Sequence, residues 1–191
     1  DKPEVNNFLD LSRNKVIYIN KLIEKLLDIN KLEKNKVNLI MENFPLMESI
    51  SQYLDHYFGR KDKSIVIEPL FDDKITVYGD RIHISNAIGN LLENAVKYSG
   101  DSVHIKILAE ENSEDLTIIV EDNGIGIPPA DQKRVFERFY RVNSAEHSAK
   151  GKGFGLGLNY VQWVAISHNG RVSVESEPGK GSKFKLTIKR G

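Results

Sequence analysis

The sequence predicts an α+β fold, a two-layer α/β sandwich preceded by a long bundle-type helix. Three features predict it. Segments with helical period and segments rich in β-branched residues interleave in an irregular order, not as regularly alternating β-α-β units. A heptad-like series runs through Val5, Leu9, Ser12, Val16, Ile19, Ile23, Leu26, Asn30 and Glu33, spaced alternately four and three apart. Near the middle, an apolar stripe of Ile84, Ile88, Leu91 and Ala95 is bordered by a polar row of Asn90, Asn94 and Lys97.

The first segment, residues 5 to about 33, has a stripe widened by Phe8, Leu11, Leu22, Leu27 and Ile29. That width suits a helical bundle better than a two-stranded seam. No nearby segment looks like its partner, so pairing with another chain or with a further segment is expected. The domain boundary falls after residue 36. Val37–Met41 reads as a short strand, and Pro45 opens a helix to about Phe58 with Leu46, Ile50, Tyr53, Leu54 and Tyr57 on one side. Gly59–Lys63 is a charged turn. Ser64–Leu70 and Lys74–Tyr78 are strands separated by Asp72-Asp73. Asp80 is a suitable N-cap for the central helix, which ends near Ser99-Gly100. Ser102–Glu110 and Leu116–Glu121 form paired strands. After an irregular section, a helix covers roughly Gly155–His168 and closes on Asn169-Gly170. Arg171–Ser176 and Ser182–Lys189 are the final strands.

Composition narrows the function. The chain has 191 residues, 40% hydrophobic and 28% charged, with Lys+Arg 27 balancing Asp+Glu 27. A zero net charge argues against bulk attraction to nucleic acid or anionic membrane. The absence of cysteine excludes disulfides and thiolate-ligated zinc. No apolar run is long enough to span a bilayer and no signal peptide is visible. A cytoplasmic location is expected, with any anchoring of a parent protein left to segments outside this chain.

Asparagine is a poor helix-interior residue because its amide competes for backbone hydrogen bonds. Asn90 and Asn94 one turn apart, with Lys97 beyond them, suggest the floor of a polar site or a solvated helix shoulder. Asp122-Asn123-Gly124-Ile125-Gly126-Ile127-Pro128 follows a strand. Asp-Asn-Gly alone is a hairpin signal, but Pro128-Pro129 stands where a returning strand is needed. What remains is a strand-end carboxylate beside glycines that admit a ligand, and an exocyclic amine such as adenine's would satisfy it. Gly151-Lys152-Gly153-Phe154-Gly155-Leu156-Gly157-Leu158 leads into a helix. Alternating glycines at a helix N-terminus make a phosphate cradle or a hinge. The dinucleotide and P-loop spacings both fail here. Between the loops, Val135–Arg141 carries aromatic and arginine side chains, while Asn143–Lys150 lacks apolar anchors and is expected to be mobile. The two parts look like a lid over a ligand, although Arg138 could equally be a solvated surface charge.

Five ordered motifs now resemble one family. They are Asn90-x-x-x-Asn94-Ala95-x-Lys97-Tyr98-Ser99, Asp122-x-Gly124-x-Gly126, Phe136-x-x-Phe139 with Arg141, Gly153-x-Gly155-x-Gly157, and Gly179-x-Gly181-Ser182-x-Phe184. Over residues 64 to 189 the chain is similar to the catalytic, ATP-binding domain of bacterial sensor histidine kinases. This domain has a Bergerat-type fold, a mixed sheet covered by helices. Residues 1–36 resemble the second helix of the dimerisation and phosphotransfer domain, and residues 37–191 the catalytic domain.

The resemblance implies roles. Asn94 would hold Mg²⁺ bridging the ATP phosphates with Asn90 beside it, and Lys97 and Tyr98 would contact phosphate. Asp122 would accept from the adenine amine, with Gly124, Gly126 and Ile127 lining the base pocket. Arg141 and Lys152 would reach phosphates, and Gly153, Phe154, Gly155, Leu156 and Gly157 would form the phosphate loop. Related ATP hydrolases carry a glutamate base where this chain has Asn90, which cannot act as a base. Glu93 projects about 100° away from Asn94 on an ideal helix, so transfer to a protein nucleophile is favoured over hydrolysis. None of His56, His83, His104, His147 and His168 has the family's phosphoacceptor setting. The implied function is transfer of the γ-phosphate to a histidine outside this chain, in a homodimer, for relay to a response-regulator receiver domain. The alternative is a nucleotide-gated interaction module that binds ATP without transfer.

Overall fold

The computed structural model describes residues 38–57, 63–142 and 153–191, together with Val16. The chain divides into two compact units, Asp1–Asn38 and Leu39–Gly191. The expected N-terminal helix, apart from Val16, lies outside the described residues, as does the segment 143–152.

In the second unit the strands are β1 (Met41–Pro45), β2 (Ser64–Leu70), β3 (Thr76–Asp80), β4 (Ser102–Glu111), β5 (Asp115–Asp122), β6 (Arg171–Glu177) and β7 (Gly181–Lys189). The helices are α1 (Leu46–Tyr57), α2 (Arg81–Tyr98) and α3 (Gly157–Ser167). One sheet has the order β2-β4-β5-β7-β6, and β1 and β3 form a separate antiparallel pair. β2 runs parallel to β4 while the other pairings in the large sheet are antiparallel. The sheet is therefore mixed and the fold is the expected α+β sandwich.

Period-two alternation builds one apolar sheet face. Leu116, Ile118 and Val120 of β5 point into the core with Ile105 and Ile107 of β4 and Leu186 and Ile188 of β7. Ile84, Ile88, Leu91 and Leu92 of α2 and Val161, Val164 and Ala165 of α3 cover that face. Burying a side chain of the leucine or isoleucine class stabilises the fold by roughly 1.5–3 kcal/mol. The other face carries exposed pairs such as Lys183–Glu121 at 2.9 Å and Lys189–Glu114 at 2.9 Å, each worth little on its own.

Several element edges differ from the sequence reading by one or two residues, and the first strand by more. The first strand is Met41–Pro45, not Val37–Met41, because Phe44 is the residue that reaches the core opposite Val77, whereas Ile40 is exposed. Pro45 therefore stays in the strand, and Leu46 starts α1 with its N–H on Ile75 O at 2.9 Å. β3 begins at Thr76, since Asp72 Oδ1 accepts from Lys74 N at 2.8 Å and Asp72 O from Ile75 N at 3.0 Å, closing a turn there. Gly155 has φ +66° and so lies outside α3, which begins at Gly157.

Candidate functional site

α2 is pinned at both ends. At its start Asp80 caps the helix, Oδ1 accepting from His83 N at 3.0 Å. The Asp80 N–H in turn donates to Nε2 of buried His168 at 2.9 Å, and His168 Nδ1 donates to Val164 O at 2.7 Å. His168 is thus a neutral link between α3 and α2. Burial lowers its pKa. At the other end Lys63 Nζ donates to Val96 O at 2.7 Å and Ser99 O at 3.3 Å, satisfying terminal carbonyls of the helix.

Along α2, Asn90, Asn94 and Lys97 are half-buried and border the fully buried Leu91 and Ala95. Asn90 Nδ2 donates to Asn86 O at 2.8 Å. Only the amide nitrogen can donate to a carbonyl, so Oδ1 faces the glycine loop. A Cβ at Gly157 would lie 2.8 Å from that Oδ1, and a Cβ at Gly153 would lie 2.5 Å from Lys97 Nζ. Each is closer than a carbon can approach, so a side chain at either position would push the Lys97 or Asn90 side chain aside and lift the loop's contact with the polar row. At the N-terminus of α3, Leu156 occupies the cap position without a side-chain hydrogen bond. The positive end of α3 therefore faces this row without a side-chain acceptor of its own.

Asp122 ends β5 and is 8% exposed. Its Oδ1 accepts from Gly124 N at 2.8 Å. Burial pushes its pKa from an ordinary 3.8 up to about 6, against the amides of Gly124 and Ser182, which lower it; Glu121 adds a smaller upward push. A buried carboxylate of this kind gains from any further N–H donor that reaches it. Gly124 packs where a Cβ would meet Asp122 Oδ1 at 2.7 Å and Tyr98 O at 2.8 Å. The next residue, Ile125, donates its N–H to Tyr98 O at 3.0 Å. The carboxylate loop is thereby fastened to the C-terminal end of α2. Gly126, at φ +71°, passes the backbone of Glu177 so closely that a Cβ would lie 2.1 Å from its O.

These observations bring two glycine loops and one polar helix row together, and residues 79–191 match the family described as histidine kinase-, DNA gyrase B- and HSP90-like ATPases. The chain belongs to this family. Among sequence relatives, it is 46% identical over 112 residues to the sensor-like histidine kinase SenX3 of Mycolicibacterium smegmatis, covering 59% of this chain and 29% of that protein. It is 31% identical over 184 residues to the sensor histidine kinase WalK of Bacillus subtilis, covering 95% of this chain and 30% of that protein. The chain thus spans less than half the length of the curated relatives it matches. Among solved structures, the mycobacterial sensor histidine kinase MprB aligns with a TM-score of 0.66 and 26% identity, over 78% of this chain and 97% of that one. The Acinetobacter baumannii histidine kinase AdeS aligns with a TM-score of 0.75 and 25% identity, over 92% and 80%.

Membership in this ATPase family makes ATP the nucleotide of the domain. Of the residues singled out from sequence, Asn90, Lys97, Gly153 and Gly157 meet in one place, with Asn94 on the same helix row. Asp122, Gly124 and Tyr98 meet in another, with buried Ile127 beside them on the carboxylate loop. Phe154 is half-buried and Leu156 buried, while Arg141 is exposed. Lys152 lies outside the described residues. The sequence reading missed Lys63, placed in a turn, and also Ser176, whose Oγ accepts from Ile127 N at 2.8 Å. Gln132 was missed too; its Nε2 donates to Ile127 O at 3.0 Å and Ser176 O at 2.7 Å. Only long-range pairing reveals these supports, since no local pattern marks them. Among the described residues no helix is long and apolar enough to cross a membrane, and no group of three or more His, Cys, Asp or Glu could hold a metal.

Proposed function

We propose that this chain is the catalytic part of a sensor histidine kinase, delivering the γ-phosphate of ATP to a histidine outside residues 1–191. The observation that carries the reading is the close packing of Gly153 and Gly157 against the Lys97 and Asn90 side chains, which sets the glycine loop on the polar row of α2. Residues 1–36 would be a helix of the dimerisation bundle and residues 37–191 the catalytic domain. The working form would be a homodimer, the phosphohistidine would serve a response-regulator receiver domain, and a parent protein could reach the inner membrane through other segments.

In this reading Asp122 accepts from the adenine amine, and Gly124, Gly126 and Ile127 line the base. Lys97 and Tyr98 contact phosphate, joined by Arg141 and Lys152, while Gly153, Phe154, Gly155, Leu156 and Gly157 present backbone to it. Magnesium fits the donor set: a nucleotide-borne ion asks for one or two hard oxygens from the protein, and Asn94 with Asn90 beside it offers amide oxygens where a carboxylate cage is lacking. Bound there, Mg²⁺ would neutralise phosphate charge. Orientation and charge neutralisation dominate phosphoryl transfer, so these residues suffice without a base of their own.

Glu93 supports transfer over hydrolysis. It is exposed, and the pKa of Tyr53 on α1, raised chiefly by burial, is raised further by the Glu93 charge. Tyr53 also covers Gly89, where a Cβ would lie 2.3 Å from its Oη. Glu93 and Gly89 are one turn apart on α2, so Glu93 shares the helix row that faces Tyr53 of α1. The test is to add a separately made acceptor helix and labelled ATP to the chain. Acid-labile phosphohistidine is the expected product. Nucleotide binding without transfer would favour the interaction-module reading, and steady phosphate release lost on Glu93→Gln would favour hydrolysis.

A further inference from the structure

The segment between the two glycine loops is tied down at several points before it reaches Arg141. Asp131 N donates to Pro128 O at 2.9 Å, and Asp131 O accepts from Arg134 N and Val135 N, closing a turn. The Tyr140 hydroxyl donates back to the Asp131 carboxylate across that turn, and the Arg134 guanidinium lies over the Tyr140 ring at 4.2 Å. Phe139 has φ +61°, rare for a side chain of its size, and its N–H donates to Gly155 O at 2.9 Å. Gly155, itself left-handed, lies where a Cβ would meet Tyr140 O at 2.6 Å. Arg138 Nε donates to Asn159 Oδ1 at 3.3 Å, and Asn159 Nδ2 donates to Phe136 O at 3.1 Å.

A left-handed phenylalanine persists only where its surroundings hold it. Its amide is held by Gly155, and the following residue is held through the Tyr140 ring and hydroxyl. Releasing Tyr140 would let Phe139 relax into an ordinary backbone basin, and the peptide that leads to Arg141 would turn with it. We propose that Asp131 and Tyr140 form a positioning pair that sets the direction in which Arg141 leaves the backbone, and so governs how the chain distinguishes a nucleotide with a γ-phosphate from one without. The proposal rests on Arg141 as a phosphate contact. In this role the pair acts through the arginine and not on the nucleotide itself, and an arginine already aimed loses less freedom on binding.

The experiment is calorimetry on the full chain with magnesium, comparing a non-hydrolysable ATP analogue with ADP. Arg141→Ala is expected to lower affinity for the analogue relative to ADP. Tyr140→Phe, which removes one oxygen, is expected to shift the same ratio in the same direction by about three- to tenfold, with adenosine affinity unchanged. The Tyr140→Phe/Arg141→Ala double variant should match Arg141→Ala alone, and Asp131→Asn, which keeps an acceptor, should recover most of what Asp131→Ala loses. A wild-type ratio in Tyr140→Phe beside a shifted ratio in Arg141→Ala overturns the positioning pair and leaves the site reading intact. So do independent, additive losses in the double variant. A wild-type ratio in Arg141→Ala removes the arginine's assigned role, and the pair's role falls with it.

Discussion

A methyl group at Gly157 would lie 2.8 Å from Asn90 Oδ1, so the first residue of α3 and the polar row of α2 meet with only a hydrogen between them. Gly157 stands at a helix start, where alanine is the better helix former. Stability and binding should therefore move in opposite directions. Gly157→Ala is expected to hold or slightly raise the melting temperature while displacing Asn90 and lowering affinity for magnesium-ATP about tenfold or more. Thermal melts and calorimetry on the same sample check both halves.

Asp122 makes a similar separation. Its folded pKa of about 6 lies above its ordinary 3.8. The stability it contributes is therefore fully present below the ordinary value and lost as pH rises through about 6. At neutral pH the nucleotide-free domain carries the cost of a buried charge. Asp122→Asn is expected to stabilise that domain by about 1–3 kcal/mol at pH 7.5. It should also weaken binding of ATP far more than of GTP analogues. In the wild type, adenine affinity should fall as pH drops through 6. Denaturant titration and calorimetry between pH 5 and 8 test each part, and equal losses for both nucleotides would contradict the assignment.

His168 has the opposite linkage. Burial lowers its pKa, opposed by Val164 O and Asp80 and reinforced by His83. Its contribution is fully present above the ordinary 6.5 and is lost as pH falls below it, because the unfolded chain takes up the proton first. Measured in an Asp122→Asn background to remove the competing carboxylate, stability should decline from pH 7.5 to 5.5. His168→Ala strands the Asp80 N–H and opens a cavity, at a cost of about 2–4 kcal/mol, and should flatten that decline. A variant as pH-sensitive as its parent would assign the decline to other groups.

Lys63 reaches the nucleotide domain's central helix from the edge of β2. Lys63→Met removes its hydrogen bonds to Val96 O and Ser99 O and should destabilise the fold by about 1 kcal/mol. Because Tyr98 O anchors the carboxylate loop through Ile125, adenosine affinity should drop as well. Chemical denaturation and adenosine titration of the variant measure the two effects.

Sequence patterning was most legible where one element explains itself. The stripe Ile84, Ile88, Leu91 and Ala95 marked α2, Asp80 marked its start, and the run Leu116–Glu121 marked β5. Edges that depend on a partner were less legible. Val37–Met41 is the more apolar run, yet β1 lies at Met41–Pro45 because Phe44 must face Val77. Lys63 sat in what read as a charged turn, since nothing in Gly59–Lys63 announces a helix end formed by residues some 33 positions later.

By itself the sequence determined the α+β class, the polar row of Asn90, Asn94 and Lys97, the strand-end Asp122 and the glycine spacing, all of which rest on contacts between near neighbours. Tertiary structure decided which glycine meets which polar group, that His168 is buried and neutral, and that Phe139 stands left-handed under the grip of Gly155 and Tyr140. Those outcomes follow from close approach and burial between distant segments, and neither distance nor dielectric is written into a local pattern of residues.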